Sequence, residues 1–357
     1  MFMMICTIQR FFIVAILSFS FLMSITTVQA QRYKRESFGK AKRYTSIGIM
    51  MSASNYFGDI VPRSSFSSAD LQLTRPSFGA IVSRKISSRI SVRGSFAYAR
   101  IKGDDFVSAS PNDANARFRY VRNLSFRNDI YELAGTISYD FISNTNIFYK
   151  RPKWVPYVFI GIGGFYHNPK GKLTSNESNG LSNNWVALQP LGTEGQGIDG
   201  KKRYSLLQVT IPYGLGVRYK LSNHIDISFE IGLRQTFTDY LDDVSGNYPD
   251  KKVLDQMSPL ARAFSARSLA TESAGGKDRN IDALASYLYG SDNYKQVYYN
   301  GVDGQTYTVY GHGIDTHTGQ YENKGQQRGN PKDKDQYLLT GFHVSYIIFK
   351  GVRCPKF

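Results

Sequence analysis

Val209–Arg234 reads VTIPYGLGVRYKLSNHIDISFEIGLR. Apolar or aromatic side chains take every odd position from Val209 to Leu221, and again from Ile225 to Leu233. The even positions carry Thr210, Pro212, Gly214, Gly216, Arg218 and Lys220, then Asp226, Ser228, Glu230, Gly232 and Arg234. A period of two marks a strand with one apolar and one polar face, and Ser222-Asn223-His224 supplies a tight turn between two such strands. The polar face mixes small residues with charges of both signs. A soluble sandwich would turn that face to water. A transmembrane barrel inverts the arrangement, setting the apolar face against lipid and pairing the charges inside.

The rest of the chain decides between the two. Alternation recurs over Tyr44–Met51, Pro76–Ile86 (broken at Ile81), Ile90–Ile101, Asp129–Phe141 and Tyr337–Phe349, and the Gly-rich Pro156–His167 reads as a fifth strand of ambiguous facing. The connections after the first, third, fifth and seventh strands are long. Those after the second and sixth are tight turns, and that after the fourth is intermediate. Outer-membrane barrels sort their connections this way, with short periplasmic turns and long outer loops. The reading is therefore an all-β, eight-stranded antiparallel transmembrane up-and-down β-barrel with both termini on the periplasmic side. Arg93, Glu132, Asp140, Arg218, Asp226, Glu230 and Arg234 are expected inside it as a mixed-sign network, since buried charges are tolerated only when paired. Loop seven, 239–336, is the longest connection. It is expected to hold a short helix over Lys251–Leu269, interrupted at Pro259, and an irregular Tyr- and Gly-rich extension from Gly275 to Lys334.

Residues 1–30 read as a secretory signal peptide: Arg10, the apolar run Phe11–Met23, and the small-residue site Val28-Gln29-Ala30. The run is short for a membrane anchor, which needs roughly 20 apolar residues. Residues 31–43 form a basic periplasmic leader and 44–357 the barrel. Removing Arg10 takes the net charge from +16 to +15. Only Cys354 would remain after cleavage, so no internal disulfide is expected. A mean hydropathy of -0.33 does not exclude a barrel, because its strands alternate and its loops are polar.

With that topology the bases gather on one face. The leader, the short turns and the C-terminus hold 16 of them against the single acid Glu36. Arg84, Lys85, Arg89, Lys150, Arg151, Lys153, Lys220 and Arg353 are the candidate partner-binding residues of this face. Anionic inner-leaflet lipid and an acidic periplasmic protein both suit it, whereas nucleic acid does not suit an exported barrel.

Catalytic and metal-binding patterns are weak. His312 and His317 flank Asp315 in a Gly-rich loop with no fourth ligand. His343 and Ser345 share a strand face with no orienting acid. Asp239, Asp242 and Asp243 are conceivable calcium ligands, but their spacing fits loop-internal capping better. No enzyme activity, cofactor or metal is expected.

Thr236–Tyr248, TFTDYLDDVSGNY, resembles the hallmark of the PorG-like outer-membrane proteins of the type IX secretion system. Ser54–Asp59 (SNYFGD), Leu124–Arg127 (LSFR), Pro156–Gly161, Leu188–Gly195 (LQPLGTEG), Ile211–Gly214 and the terminal Cys354–Phe357 agree with it in order. The resemblance implies a non-enzymatic component of the secretion machine. It would be associated with a periplasmic ring lipoprotein and its partner protein, and would anchor or organise that ring at the outer membrane. The alternative is a small passive channel, or a barrel that binds an external ligand through its loops.

Overall fold

The computed structural model describes residues 38, 42–61, 72–109, 117–173, 185–249, 253, 256–267, 270, 272–279, 297–300, 306–309 and 328–348. The chain divides into two units, Met1–Gly39 and Lys40–Phe357. The described strands all belong to the second unit: β1 (Thr45–Phe57), β2 (Arg75–Lys85), β3 (Ile90–Asp104), β4 (Ser125–Asp140), β5 (Trp154–Tyr166), β6 (Pro169–Lys172), β7 (Trp185–Ala187), β8 (Leu207–Lys220), β9 (Ile225–Thr236), β10 (Val297–Asn300), β11 (Thr306–Val309) and β12 (Gln336–Ile348). Eight of them, β1, β2, β3, β4, β5, β8, β9 and β12, pair antiparallel in a ring that closes where β12 meets β1. The strand starts and ends expected from alternation hold within a few residues, except at the loop ends of β1 and β4, which run further.

Side-chain direction inverts that of a soluble protein. Ile49, Met51, Leu133, Ile137, Ile160, Ile162, Leu215 and Phe342 are all more than 55% exposed. Two aromatic girdles bound this belt. Tyr139, Trp154, Tyr219 and Tyr346 stand towards the short turns, and Tyr98, Tyr131 and Tyr166 towards the long loops. Tyr131 and Tyr139 lie eight residues apart on β4. That is about 27 Å of strand, or about 20 Å of height at a tilt of about 40°, close to the apolar band of an outer-membrane barrel. Among the described residues no helix is long and apolar enough to cross a membrane. The fold is a membrane-spanning barrel.

Side chains fill the interior in layers. At the short-turn end Lys85 Nζ lies 2.5 Å from Asp140 Oδ2, and Arg218 Nη1 lies 3.2 Å from the same oxygen. Arg151 pairs with Asp226 at 2.5 Å. Above them Arg93 donates to Glu230, which also accepts from Tyr157 and faces His343 Nδ1 at 3.4 Å. The next layer pairs Arg234 with Glu132, which accepts from the Tyr337 hydroxyl. A hydrophobic layer then closes the loop end: Tyr56, Ile101, Ile130, Phe165, Tyr337 and Leu339, all buried. Ile81, which interrupts the alternation of β2, is an interior residue of this core. Glycines make room for the larger groups. A Cβ at Gly214 would come within 2.9 Å of the Phe159 ring, and one at Gly216 within 2.6 Å of Tyr157.

Three expectations about the connections need correction. The loop-seven helix covers only Pro259–Ser265: Ser258 caps it and Pro259 opens it rather than interrupting it. The connection after β3 is partly helical, with α1 (Asp105–Ser108) and α2 (Arg117–Arg122), so the loop-seven helix is α3. The extension beyond Gly275 contains the β10–β11 hairpin. The signal peptide, most of the basic leader, His312, His317, Arg353 and Cys354 lie outside the described residues.

Asp140 is the acid that a buried Lys85 and a half-buried Arg218 share. Asp140→Ala leaves Lys85 and Arg218 unpaired and should cost about 3–5 kcal/mol, read as a lower urea midpoint for the barrel in detergent. Arg84→Gln, on the exposed side of the same turn, should change it by less than about 0.5 kcal/mol.

Candidate functional site

The four long connections converge over the open end of the barrel and interlock into a cap. Two arginines hold it. Arg122, at the end of α2, binds both oxygens of Asp105 at 2.7 and 2.8 Å, and also donates to the carbonyls of Arg328 and Asp59. Arg328 donates to Glu194 Oε1 at 3.0 Å, to the Asp243 carbonyl at 2.5 Å and to the Ser265 carbonyl. Glu194 in turn accepts from the backbone N–H groups of Ser245 and Gly246. All four loops are tied by these groups. Leu241, Val244, Phe126, Ile60, Leu188 and Phe264 pack beneath them, and Tyr204 stacks on Tyr240 at 4.5 Å.

The three aspartates of TFTDYLDDVSGNY separate rather than converge. Asp243 accepts from Thr193 and Tyr204. Asp242 caps its own loop through Val244 N and accepts from Tyr56. Neither oxygen of Asp239 has a partner at hydrogen-bond geometry, although the residue is only 3% exposed. Among the described residues no group of three or more His, Cys, Asp and Glu is arranged to hold a metal ion.

The cap stores protons instead. The Tyr56 hydroxyl lies 2.7 Å from Asp242 Oδ2 and 2.7 Å from Asp335 Oδ1. One hydroxyl proton serves one of these contacts, so the other requires a protonated carboxyl. Burial, then the neighbouring carboxylate, pushes Asp242 well above the usual carboxylate range, and burial does the same to Asp335. Burial lifts Asp239 to about 7, against the opposing pull of Ser245 and Lys334. It lifts Asp243 to about 6, although Arg328 opposes the shift. His167 is driven down to about 4 by burial and is neutral. The Asn128 amide faces its Nδ1 at 3.2 Å, and its Nε2 faces the Ser205 carbonyl.

At the opposite end, Arg84, Lys150 and Lys153 are exposed as expected. Arg89 is half-buried against Tyr139 and the Phe141 carbonyl, and Lys220 donates to the Tyr149 carbonyl. Lys85 and Arg151 are corrections: both point into the barrel and are buried, paired with Asp140 and Asp226. Each sits at the inward phase of its strand or turn, where an acid awaits it. All seven residues of the expected interior network do face inward. His343 has an acid, Glu230, on a neighbouring strand that sequence could not assign, but Arg93 and Tyr157 already engage it. Sequence reading missed Arg122 and Arg328. The one available signal was the acid-rich string itself, which demands buried cations from elsewhere in the chain.

Compared with known proteins, residues 36–191 match the model of a family described as a domain of unknown function, DUF6089. No curated protein matches the sequence. Among solved structures, the chain is similar to Neisserial surface protein A (9% identity, 86% of this chain and 98% of that one, TM-score 0.30). It is also similar to Ail, the attachment invasion locus protein of Yersinia pestis, in complex with a heparin analogue (13%, 54% and 87%, 0.29), and to the N-terminal β-barrel domain of Pseudomonas aeruginosa OprF (8%, 85% and 97%, 0.28). These likenesses are faint, and the barrel stands on its own strand pairing and exposure pattern.

Acids raised above their unfolded values stabilise the cap fully below about pH 4, and that contribution is lost as pH rises through about 7. Protection of the loop amides from hydrogen exchange, corrected for intrinsic rate, should therefore fall between pH 5 and 8, by at most about tenfold per unit for one proton. Asp239→Asn should flatten that slope. Arg328→Met, which strands Glu194 and Asp243, should open the loops to protease at every pH while β1–β12 pairing persists.

Proposed function

We propose that this protein is a non-enzymatic outer-membrane component of the type IX secretion system. After cleavage of its signal peptide behind Ala30, it anchors or organises a periplasmic ring of a lipoprotein and its partner protein. The observation that carries this reading is the convergence of the PorG-like strings. SNYFGD contributes Tyr56 and Asp59, LSFR contributes Phe126, LQPLGTEG contributes Thr193 and Glu194, and TFTDYLDDVSGNY contributes Asp239, Asp242 and Asp243 to one interlocked cap. Strings distant in sequence that build a single unit are what shared descent of a whole fold leaves behind.

The docking face of this proposal is the short-turn end, reduced to the bases that reach solvent there, chiefly Arg84, Lys150 and Lys153. The alternative of a passive channel has less to support it. Ion-pair layers and the Tyr56–Phe165–Tyr337 layer occupy the lumen, and the cavity among Lys85, Arg93, Ser138 and Glu230 holds only about 40 Å³.

Charge reversal of the three exposed bases (Arg84→Glu, Lys150→Glu, Lys153→Glu) should leave the barrel in the outer membrane. It should reduce co-purification of the ring proteins by about tenfold or more and lower export of type IX cargo. Unchanged co-purification and export would count against the docking face. Normal export from a strain lacking the gene would sink the secretion role itself.

A further inference from the structure

The outer surface of the barrel changes character abruptly above the loop-side girdle. Adjacent strands place Tyr98, Tyr131 and Tyr166 side by side on one rung. Four residues further along, the next outward positions but one, Lys102 pairs in register with Arg127, and Arg127 with Lys170. Three bases thus stand abreast on neighbouring strands. Lys172 follows Lys170 at the same phase of β6, where the inward Gly171 backs onto Phe264. The rung lies about 14 Å of strand beyond the tyrosines, or about 10 Å of height at a tilt of about 40°. That is headgroup depth in the outer leaflet.

Like charges directly opposite on paired strands repel, and the neighbouring acids relieve this set only in part. Asp129, one rung below, is engaged by Arg100 at 2.5 Å and the Tyr98 hydroxyl at 2.8 Å. Asp104 Oδ2 meets Lys102 in a long ion pair at 3.8 Å, while its Oδ1 caps α1 at Phe106 N. Among the described residues Arg127, Lys170 and Lys172 form no ion pair, and Arg127 Nε lies buried without an acceptor. The Arg127 guanidinium is nevertheless held in place, 4.2 Å over the Trp185 ring of β7. A row of three bases that outnumbers its neighbouring acids, with its middle member held on a ring, beside an aromatic girdle, is complementary to phosphate carried at the membrane surface.

We infer that Lys102, Arg127 and Lys170 form a docking rung for a phosphate-bearing glycolipid headgroup of the outer leaflet, of the lipid A class. Its acyl chains would run down past Tyr131 and Tyr166 onto the apolar belt, while its phosphate meets the three bases. The rung lies at the opposite end of the barrel from the face proposed for ring docking.

The test uses the full-length protein purified in mild detergent and native mass spectrometry with three probes: bisphosphorylated lipid A, lipid A stripped of phosphate, and inorganic phosphate. The intact protein should retain the bisphosphorylated lipid, with affinity falling as salt rises. The triple variant Lys102→Gln, Arg127→Gln, Lys170→Gln should bind it about a hundredfold more weakly, about fivefold per base removed. Arg84→Gln, Lys150→Gln, Lys153→Gln, an equal change of charge at the other end, should bind it normally. Heat-dependent gel migration checks that each variant is folded. Should the glutamine variant not fold, Lys102→Arg, Lys170→Arg should keep the affinity. Equal binding of the dephosphorylated lipid, equal competition by inorganic phosphate, or equal loss in the turn-face variant would each overturn the assignment. Ring co-purification is unaffected by the rung variant if both proposals stand, so either can fail alone.

Discussion

Charge neutralisation inside a closed cylinder is the constraint on which the rest of this molecule depends. Lipid claims the apolar face of every barrel strand, so the other face must enclose whatever is left, and here that includes Glu132, Asp140, Asp226 and Glu230. An isolated carboxylate in such a place is prohibitively costly. Each is met by a cation from a different strand or turn: Arg234, Lys85 with Arg218, Arg151, and Arg93. These pairs span the ring, so they fix register as well as charge. A slip of one residue on β4 or β9 would put an ion in lipid and a leucine among ions. The glycines of β8 and β9 belong to the same arrangement, since Phe159, Tyr157 and the Arg234 guanidinium lie across them.

The strands were legible because both determinants are local. Alternation over ten or so residues and the parity of loop lengths need no knowledge of what lies elsewhere. The interior network was legible for the same reason: Arg218, Asp226, Glu230 and Arg234 share the phase of their strands. The errors fall where phase gives way to distant pairing. Lys85 reads as a turn base until Asp140, two strands away, is seen beneath it, and Arg151 reads likewise until Asp226 is. Pro259 looks like a break within a longer apolar stretch, yet with Ser258 before it the same residue is a helix start. The helices α1 and α2 have no periodic signature of their own. Part of what fixes them is the bidentate hold of Arg122 on Asp105 and its reach to Arg328 and Asp59.

The cap follows a different electrostatic rule from the barrel. Below the girdle each acid has its cation. Above it, Asp59, Asp239, Asp242, Asp243, Glu194 and Asp335 share chiefly Arg122 and Arg328. Neutrality there is reached partly by protonation, and the Asp242–Tyr56–Asp335 contact is its geometric signature. Such a unit is rigid for as long as its protons are retained. That fits a lid over a filled lumen better than a gate over a pore, because a gate would need an alternative arrangement for these carboxyls that the packed loops do not offer.

Filled lumen and sealed cap together decide where the protein can act. The described interior holds Lys85, Arg93, Arg151, Arg218 and Arg234 against four acids, so it absorbs almost none of the positive excess of +16 carried by the whole sequence. The buried part of the cap holds more acids than bases and absorbs none. The surplus therefore has to reside on surfaces, and the described residues show it on one side at the exposed bases of the short turns, and on the other at the Lys102–Arg127–Lys170 rung and at exposed loop bases such as Lys201, Lys202 and Arg203. These lie on opposite sides of the bilayer. A barrel built to conduct would concentrate charge along its axis, whereas this one balances its axis and leaves its cations at the two membrane surfaces.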